Sequence, residues 1–474
     1  MAGQKKYMKA SSMWIYAFGI FGMQLFIGYI NSYQSQFYTT VFNANLMIIA
    51  AIILIAKVIS ALADPFIGNL IDRSNFKSGK MKPFILMSSV PLAVLTTVMF
   101  IKINFVNDTA MYIYITVTTI LWNIVMSFAD IPSQGMLALL SPDCEERNAA
   151  AGITNVMKSI ALAAPGLVVP VVCALTKSSV ITEKEFLITA LFIGVIGLVL
   201  YILVYFFTEE LVVSSNNKMT LKQMVMELKN NKMLLIIFLT FMLGFGRNMA
   251  MGITVQASAV LLKEGVDITI GSFHYQAAGE NLPWLVGITA AISSMISILA
   301  VPVINKKWGE KKTFIVFGIY GLVVCLIAML CYGLGGTAFR SLWAILIYQF
   351  FVGIMFGPHG YLPMVMVSDI VDYREWQTGK RTEGTQFAVL SLSIKISNAL
   401  SVAVGIFIVG ASGYFGGIAV DAISVKMQNI VFAAFLFIPG VCSFLAALPV
   451  FFYKIDKNVK EQMRSEIVQR REKC

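Results

Sequence analysis

ANLMIIAAIILIAKVISALADPFIGNL, residues 44–70, decides the architecture. Apart from Lys57 and Asp64 the run is soluble in hydrocarbon, and it exceeds the roughly 20 apolar residues that carry a helix across a bilayer. A backbone inside lipid must satisfy its own hydrogen bonds, so such a run folds as α-helix. Working outward, comparable runs lie near 13–38, 83–103, 110–140, 149–175, 186–207, 233–262, 283–304, 313–334, 341–367, 385–412 and 428–452. The chain therefore reads as an all-α polytopic membrane protein of about twelve spans.

Composition agrees. Of 474 residues, 58% are hydrophobic and 13% charged, and mean hydropathy is +0.78, far above soluble usage. An even number of spans puts both termini on one side. If that side is the cytoplasm, the inner segments hold 26 Lys and Arg against six outside (Lys102, Lys177, Lys184, Lys263, Arg340, Lys426). The positive-inside rule then makes this a multi-pass plasma-membrane protein with cytoplasmic termini. Basic loops meeting anionic lipid account for the net charge of +11, so no nucleic-acid partner is expected. The six cysteines form no CxxC pair, and the two histidines, His274 and His359, stand apart. Disulfides, zinc and any other bound metal are therefore not expected, apart from a coupling cation. No nucleophile elbow, phosphate loop or paired-acid hydrolase pattern occurs, so the chain does not read as an enzyme.

Polar punctuation divides the spans six and six. The stretch TEELVVSSNNKMTLKQMVMELKNNK (208–232) is the longest inner connection before the tail. From Thr220, a candidate N-cap, it carries a weakly amphipathic pattern that predicts a short helix on the membrane surface. The expected organisation is a six-helix bundle over 1–207, a central loop over 208–232, a second bundle over 233–452 and a tail over 453–474. IDRSNFKSGKMKPF (71–84) and INKKWGEKKTF (304–314) occupy corresponding inner loops of the two halves. Parallel halves of this kind build the major facilitator architecture, with a substrate site at the midplane. The chain reads as a monomer in lipid.

An ionisable residue at the bilayer centre costs about 2.5–3.5 kcal/mol on insertion scales, and normally faces a cavity or a partner. Six are placed this way: Lys57, Asp64, Asp130, Lys158, Arg247 and Lys395. Ser60 and Asp64 share a face of the second span, and Ser127 and Asp130 share a face of the fourth. Two carboxylates and two hydroxyls offer the oxygen ligands that sodium or a proton requires. Pairing of the two acids with Lys395 and Lys158 as structural bridges is the alternative. Pro65 and Pro132, next to or near the acids, free backbone carbonyls of the preceding turn. Gly244, Gly246 and Gly252 would loosen the seventh span and permit close approach or bending, or else serve as packing glycines.

Two passages are similar to a known family. DPFIGNLIDRSNFKSGKMKPF (64–84) and VSDIVDYREWQTGKRTEG (367–384) resemble the paired signatures of the glycoside-pentoside-hexuronide cation symporters, the melibiose-permease-like branch of the major facilitator superfamily. DIPSQGML (130–137) and ERNAAAGITNVMKSIA (146–161) fall where that family has its fourth- and fifth-helix motifs. The resemblance implies cation-coupled symport of a sugar or glycoside by alternating access. It implies that Asp64 is one of two cation-binding acids, the other being replaced by Ser60. Asp130 would serve cation and sugar together, with Ser127 as a hydroxyl ligand and Lys395 retained. In the sugar pocket the resemblance places Gln24 for an acid, Gln134 for a Trp, Asn155 for an Arg, and Gly360, beside Tyr361, for a second Trp. Amides still bond hydroxyls, so a polyol remains sensible, though not an α-galactoside. The excess of cations, Lys158 among them, would suit a uronate.

On the inner face, Asp72, Arg73 and Arg147 of the first half and Asp369, Asp372, Glu375, Arg381 and Glu383 of the second are candidate gating charges that pair and part as the halves rock. A lipid-type solute, or a non-transporting sugar sensor on the same fold, are the alternatives in function.

Overall fold

The computed structural model describes residues 7–74, 76–141, 144–178, 181–211, 221–270, 273–277, 279, 282–334, 337–378, 383–455, 459–460, 462–463 and 466. The chain separates into two compact units. One comprises Met1–Lys218, Lys263–Trp284 and Tyr414–Ala422; the other comprises Met219–Leu262, Leu285–Gly413 and Ile423–Cys474. The division falls inside the expected central loop, and two segments of the second half belong to the first unit.

The first unit holds α1 (Ala10–Val41), α2 (Leu46–Arg73), α3 (Lys82–Val98), α4 (Asp108–Leu139), α5 (Cys144–Thr176) and α6 (Glu183–Phe207). Local chemistry starts several of them. Asn45 and Asn107 cap α2 and α4 through their side-chain oxygens, to Met47 N at 2.9 Å and Ala110 N at 2.8 Å. Thr182 and Glu185 form a capping box at the start of α6. α1 lies deepest, with Tyr29, Tyr33 and Phe37 packed on Phe100 and Phe186. It reaches α5 through Gly28, where a Cβ would lie 2.8 Å from the Leu162 carbonyl oxygen. Only glycine permits that approach.

The second unit begins with α7 (Leu221–Asn230), the short helix expected in the central stretch; its proposed cap, Thr220, lies outside the described residues. Leu228 of α7 packs on the core of this unit, and Glu227 meets Arg374 at 3.4 Å. The seventh span is broken. α8 (Lys232–Leu243) and α9 (Met249–Leu261) flank a 3-10 turn over Phe245–Asn248, and the pair bends by 50°. Gly244 and Gly246 sit at that break and are also packing positions, where a Cβ would lie 2.8 Å from Ala446 Cβ and 2.5 Å from Cys442 Sγ respectively. Next in the chain comes a hairpin of β1 (Val266–Ile270) and β2 (Phe273–Ala277), which belongs to the first unit and is the departure from helix that hydropathy did not foreshadow.

α10 (Pro283–Leu334) is two spans joined at Gly309, whose φ of 73° belongs to the left-handed region. Ser293 and Ser297 of its first arm lie against Gly353 and Gly357, while Phe314 and Gly321 of the second arm lie against His359 and Met355. Both arms thus run along one stretch of α11 (Leu342–Thr378), so the chain reverses at Gly309. α12 (Glu383–Ala411), α13 (Val425–Phe432) and α14 (Ile438–Val450) complete the unit, the last two joined by a π-turn over Ala433–Phe437.

With α10 counted as two, α8–α9 and α13–α14 as one each, and the short α7 set aside, the helices among the described residues fall on the expected spans. α3 is shorter than anticipated: Met99 and Phe100 close its last turn, with amides bonded to Leu95 and Thr97 carbonyls.

Candidate functional site

α2 sorts its residues by face. Ile55, Leu62, Phe66 and Leu70 are exposed on one side, while Ser60 and Asp64 occupy the other. Ser60 Oγ donates to the Asn123 carbonyl at 3.0 Å and lies 2.7 Å from Ser127 Oγ on α4. Further along, Ile67 and Ile71, with Ala63, pack with Phe128 and Ile131. The two helices therefore run in the same direction in register. Asp64, one turn past Ser60, falls beside the turn that carries Ser127 and Asp130.

Asp130 accepts from Gln134 Nε2 at 2.8 Å along its own helix. The other side of α4 is pinned by buried hydroxyls. Tyr16 OH donates to the Ser133 carbonyl at 2.7 Å, Tyr201 OH donates to the Ala129 carbonyl at 2.9 Å, and Ser133 Oγ meets Tyr201 OH at 2.8 Å. These bonds hold the helix around Pro132 so that the face with Asn123, Ser127, Asp130 and Gln134 has a set direction. The two tyrosines escaped the sequence reading, although asking where a midspan hydroxyl finds its acceptor would have raised them.

Depth follows from the same pins. Gln34 Nε2 donates to Thr119 Oγ1 at 2.9 Å, and Tyr16 meets Ser133, so α1 and α4 run antiparallel with Gln24 level with the Ser127–Asp130 turn. Gly28 on Ala161 and Leu162 places Gln24 level with the turn of Lys158. Gln24, Asp64, Asp130, Asn155 and Lys158 thus share one layer of the first unit.

α5 separates its residues into three arcs. Ala150, Thr154, Ala161, Pro165 and Val169 are buried; Val156, Ile160, Leu167 and Val171 are exposed and apolar; Asn155 and Ser159 form a polar exposed arc between them. A lipid-facing helix keeps its polar atoms off the apolar arc, so Asn155 looks away from lipid. Lys158, half-buried, lies on the side of the buried arc, in angle between Pro165 and Val169, and makes no ion pair among the described residues. Gln24 is buried, at 8% exposure, and Gln134 is exposed.

The remaining substrate candidates, Tyr361 and Lys395, belong to the second unit; Tyr361 is 41% exposed and Lys395 half-buried. A Cβ at Gly360 would meet open space. His359, by contrast, is buried among Phe314 and its neighbours, with Nε2 3.2 Å from the Phe314 carbonyl. It packs the core and lines nothing.

Among the candidate gating charges, Arg147 Nη1 donates to the Ser141 carbonyl at 2.8 Å, and the neighbouring Glu146 accepts from the amides of Tyr7 and Met8, each at 3.0 Å. Asp369 meets Lys460 of the tail at 2.5 Å, and the same ammonium reaches Glu310 at 2.7 Å. This triad was not anticipated. Tyr453 is buried beside it: burial first, then the charges of Asp369 and Glu310, hold its phenol well above the ordinary range. Asp372 and Glu375 are half-buried on α11, and Arg73 is exposed. Arg381 and the side chains of Asp72 and Glu383 lie outside the described residues.

The profile of the MFS/sugar transport protein family matches residues 15–457. The chain belongs to that family. It is accordingly a membrane transporter of the sugar-symporter class and not an enzyme. It is 25% identical over 469 residues to the isoprimeverose transporter of Lactiplantibacillus pentosus, covering 97% of this chain and 91% of the relative. The glucuronide carrier protein homolog of Escherichia coli (strain K12) is 24% identical, covering 90% of this chain and 88% of the relative. Among solved structures, the D-xylose-proton symporter superposes with a TM-score of 0.59 at 16% identity, over 94% of this chain and 97% of the other. The nucleoside transporter NupG gives 0.61 at 13% identity, over 94% and 100%. The structural likeness bears out the major facilitator fold.

Proposed function

We propose that this protein carries a sugar or glycoside into the cell together with sodium or a proton by alternating access, working as a monomer in the plasma membrane with both termini in the cytoplasm. The observation that carries the reading is the Ser60–Ser127 hydroxyl pair at 2.7 Å, with Asp64 and Asp130 on the same faces and at the same depth. Two acids and two hydroxyls supply hard oxygen ligands, and a cation among them lowers the cost of closing the site over buried charge. Asp130 would bond the sugar as well as the cation, so binding of either ligand strengthens binding of the other. Gln24, Gln134 and Asn155 supply amide donors and acceptors for hydroxyls, Lys158 offers a cation to an acidic sugar, and Tyr361 and Lys395 are the contributions of the second unit. The charges at the inner ends would pair and part as access alternates.

The test is uptake of a panel of neutral and acidic glycosides, with lactose, isoprimeverose and a glucuronide among them, by reconstituted vesicles under imposed sodium and pH gradients. Asp64→Asn should abolish the dependence on the driving cation while the purified protein stays folded. Gradient-driven uptake that survives this substitution would remove the cation site from α2.

A further inference from the structure

Arg247 lies at the break of the seventh span, inside the turn Phe245–Asn248 that separates α8 from α9. It is buried, at 5% exposure, and makes no ion pair with a carboxylate among the described residues. Its neighbours are the Phe241 ring, 5.7 Å away at its centroid, and the thiol of Cys442, whose sulfur packs against Gly246. A guanidinium carries five N–H donors, and burying one without an anion is expensive. The contact it does make is with backbone: Nη1 donates to the His359 carbonyl oxygen at 3.0 Å.

That carbonyl is not an arbitrary acceptor. In a helix the carbonyl of residue i accepts from the amide of residue i+4, and the residue four beyond His359 is Pro363, buried in the middle of α11. Proline has no amide hydrogen and its ring crowds the carbonyl four residues back. The His359 oxygen is thus left open in the interior of the protein, where an unsatisfied carbonyl is costly. Arg247 fills the vacancy. The same turn, 359–363, has one side held by His359 against Phe314 and presents Gly360 and Tyr361 on its open side.

We infer that Arg247 is a positioning residue: by closing the carbonyl that Pro363 leaves open, it joins the break in the seventh span to the proline turn of α11 and sets the placement of Tyr361. The consequence for transport rests on the reading of Tyr361 as a substrate contact; the pin itself does not.

The experiment is a pair of double-mutant cycles. In the first, thermal unfolding of the detergent-purified full chain is measured for wild type, Arg247→Met, Pro363→Ala and the double variant. Pro363→Ala returns an amide to the His359 carbonyl, so Arg247 loses its purpose. Arg247→Met should lower the unfolding midpoint by about 3 °C or more in the wild-type background. In the Pro363→Ala background that loss should shrink by at least about half, or change sign. A loss reduced by less than that overturns the proposal. If Arg247→Met does not fold alone, the double variant should recover folded protein, and failure to recover it overturns the proposal equally. Arg247→Lys, which keeps one donor, should fall between methionine and wild type.

In the second cycle, uptake of radiolabelled isoprimeverose is measured in vesicles. Arg247→Met should raise the half-saturation concentration about ten-fold with maximal rate nearly unchanged, and this effect should vanish in a Tyr361→Ala background. An equal effect in both backgrounds overturns the positioning role. If wild type takes up no isoprimeverose, it is the substrate choice that fails, and the unfolding cycle decides the proposal alone.

Discussion

Replacing Ser60 with alanine removes one oxygen from the face of α2 that meets α4. Ser60 has a single hydroxyl hydrogen, and it is given to the Asn123 carbonyl at 3.0 Å; in the contact at 2.7 Å the Ser127 hydroxyl must then be the donor. The chain of bonds runs from Ser127 through Ser60 to Asn123. Without Ser60, the Ser127 hydroxyl can rotate to the carbonyl four residues back on its own helix, which is again that of Asn123. The net loss of stability is therefore about one hydrogen bond, roughly 1 kcal/mol. Cation binding should suffer more. While its hydrogen points at Asn123, a lone pair of Ser60 remains for a cation, and alanine deletes that ligand outright. Loss of one neutral oxygen from a small oxygen cage should weaken the cation about ten-fold, roughly 1.4 kcal/mol. The assay is the half-saturating sodium concentration for uptake, repeated against pH at zero sodium, with thermal unfolding as the control for folding. If both cation dependences are unchanged while stability falls by the expected amount, Ser60 only ties the helices together.

Three other outcomes are expected. Asp130→Asn should weaken cation and sugar together, measured by titrating each in the presence of the other; loss of one alone would refute the shared role. Tyr201→Phe deletes the hydroxyl that links Ser133 to the Ala129 carbonyl in a fully buried site, and should cost about 1–3 kcal/mol, read as a lowered unfolding temperature. Lys460→Met leaves Asp369 and Glu310 facing each other without their shared cation, a loss of about 3 kcal/mol at neutral pH for a partly buried network. The measurement is thermal unfolding of the purified variant beside wild type, and an unchanged midpoint would contradict this.

Family resemblance and the layout of spans are legible in the amino-acid order because both depend on local properties. Hydropathy over about 20 residues sets a span, and a helical period sets which side chains share a face. Ser60 with Asp64, and Ser127 with Asp130, are such local facts, as are the glycines at the break of the seventh span. The hairpin was not legible, since it lies between hydropathy peaks and its pattern is short.

Partnership is what the tertiary structure alone decided. Arg247 and Lys158 look alike in sequence, each a lone cation in an apolar helix. Packing buries the first against a carbonyl 112 residues away and leaves the second half-buried on α5. Asp369, expected as a gating charge, is held by Lys460 from the tail, and Tyr16 and Tyr201 are directed onto α4 by helices far from it in the chain. Helical periodicity assigns a residue to a face, because that follows from backbone geometry; what lies opposite the face depends on how distant helices dock, and no local pattern encodes it.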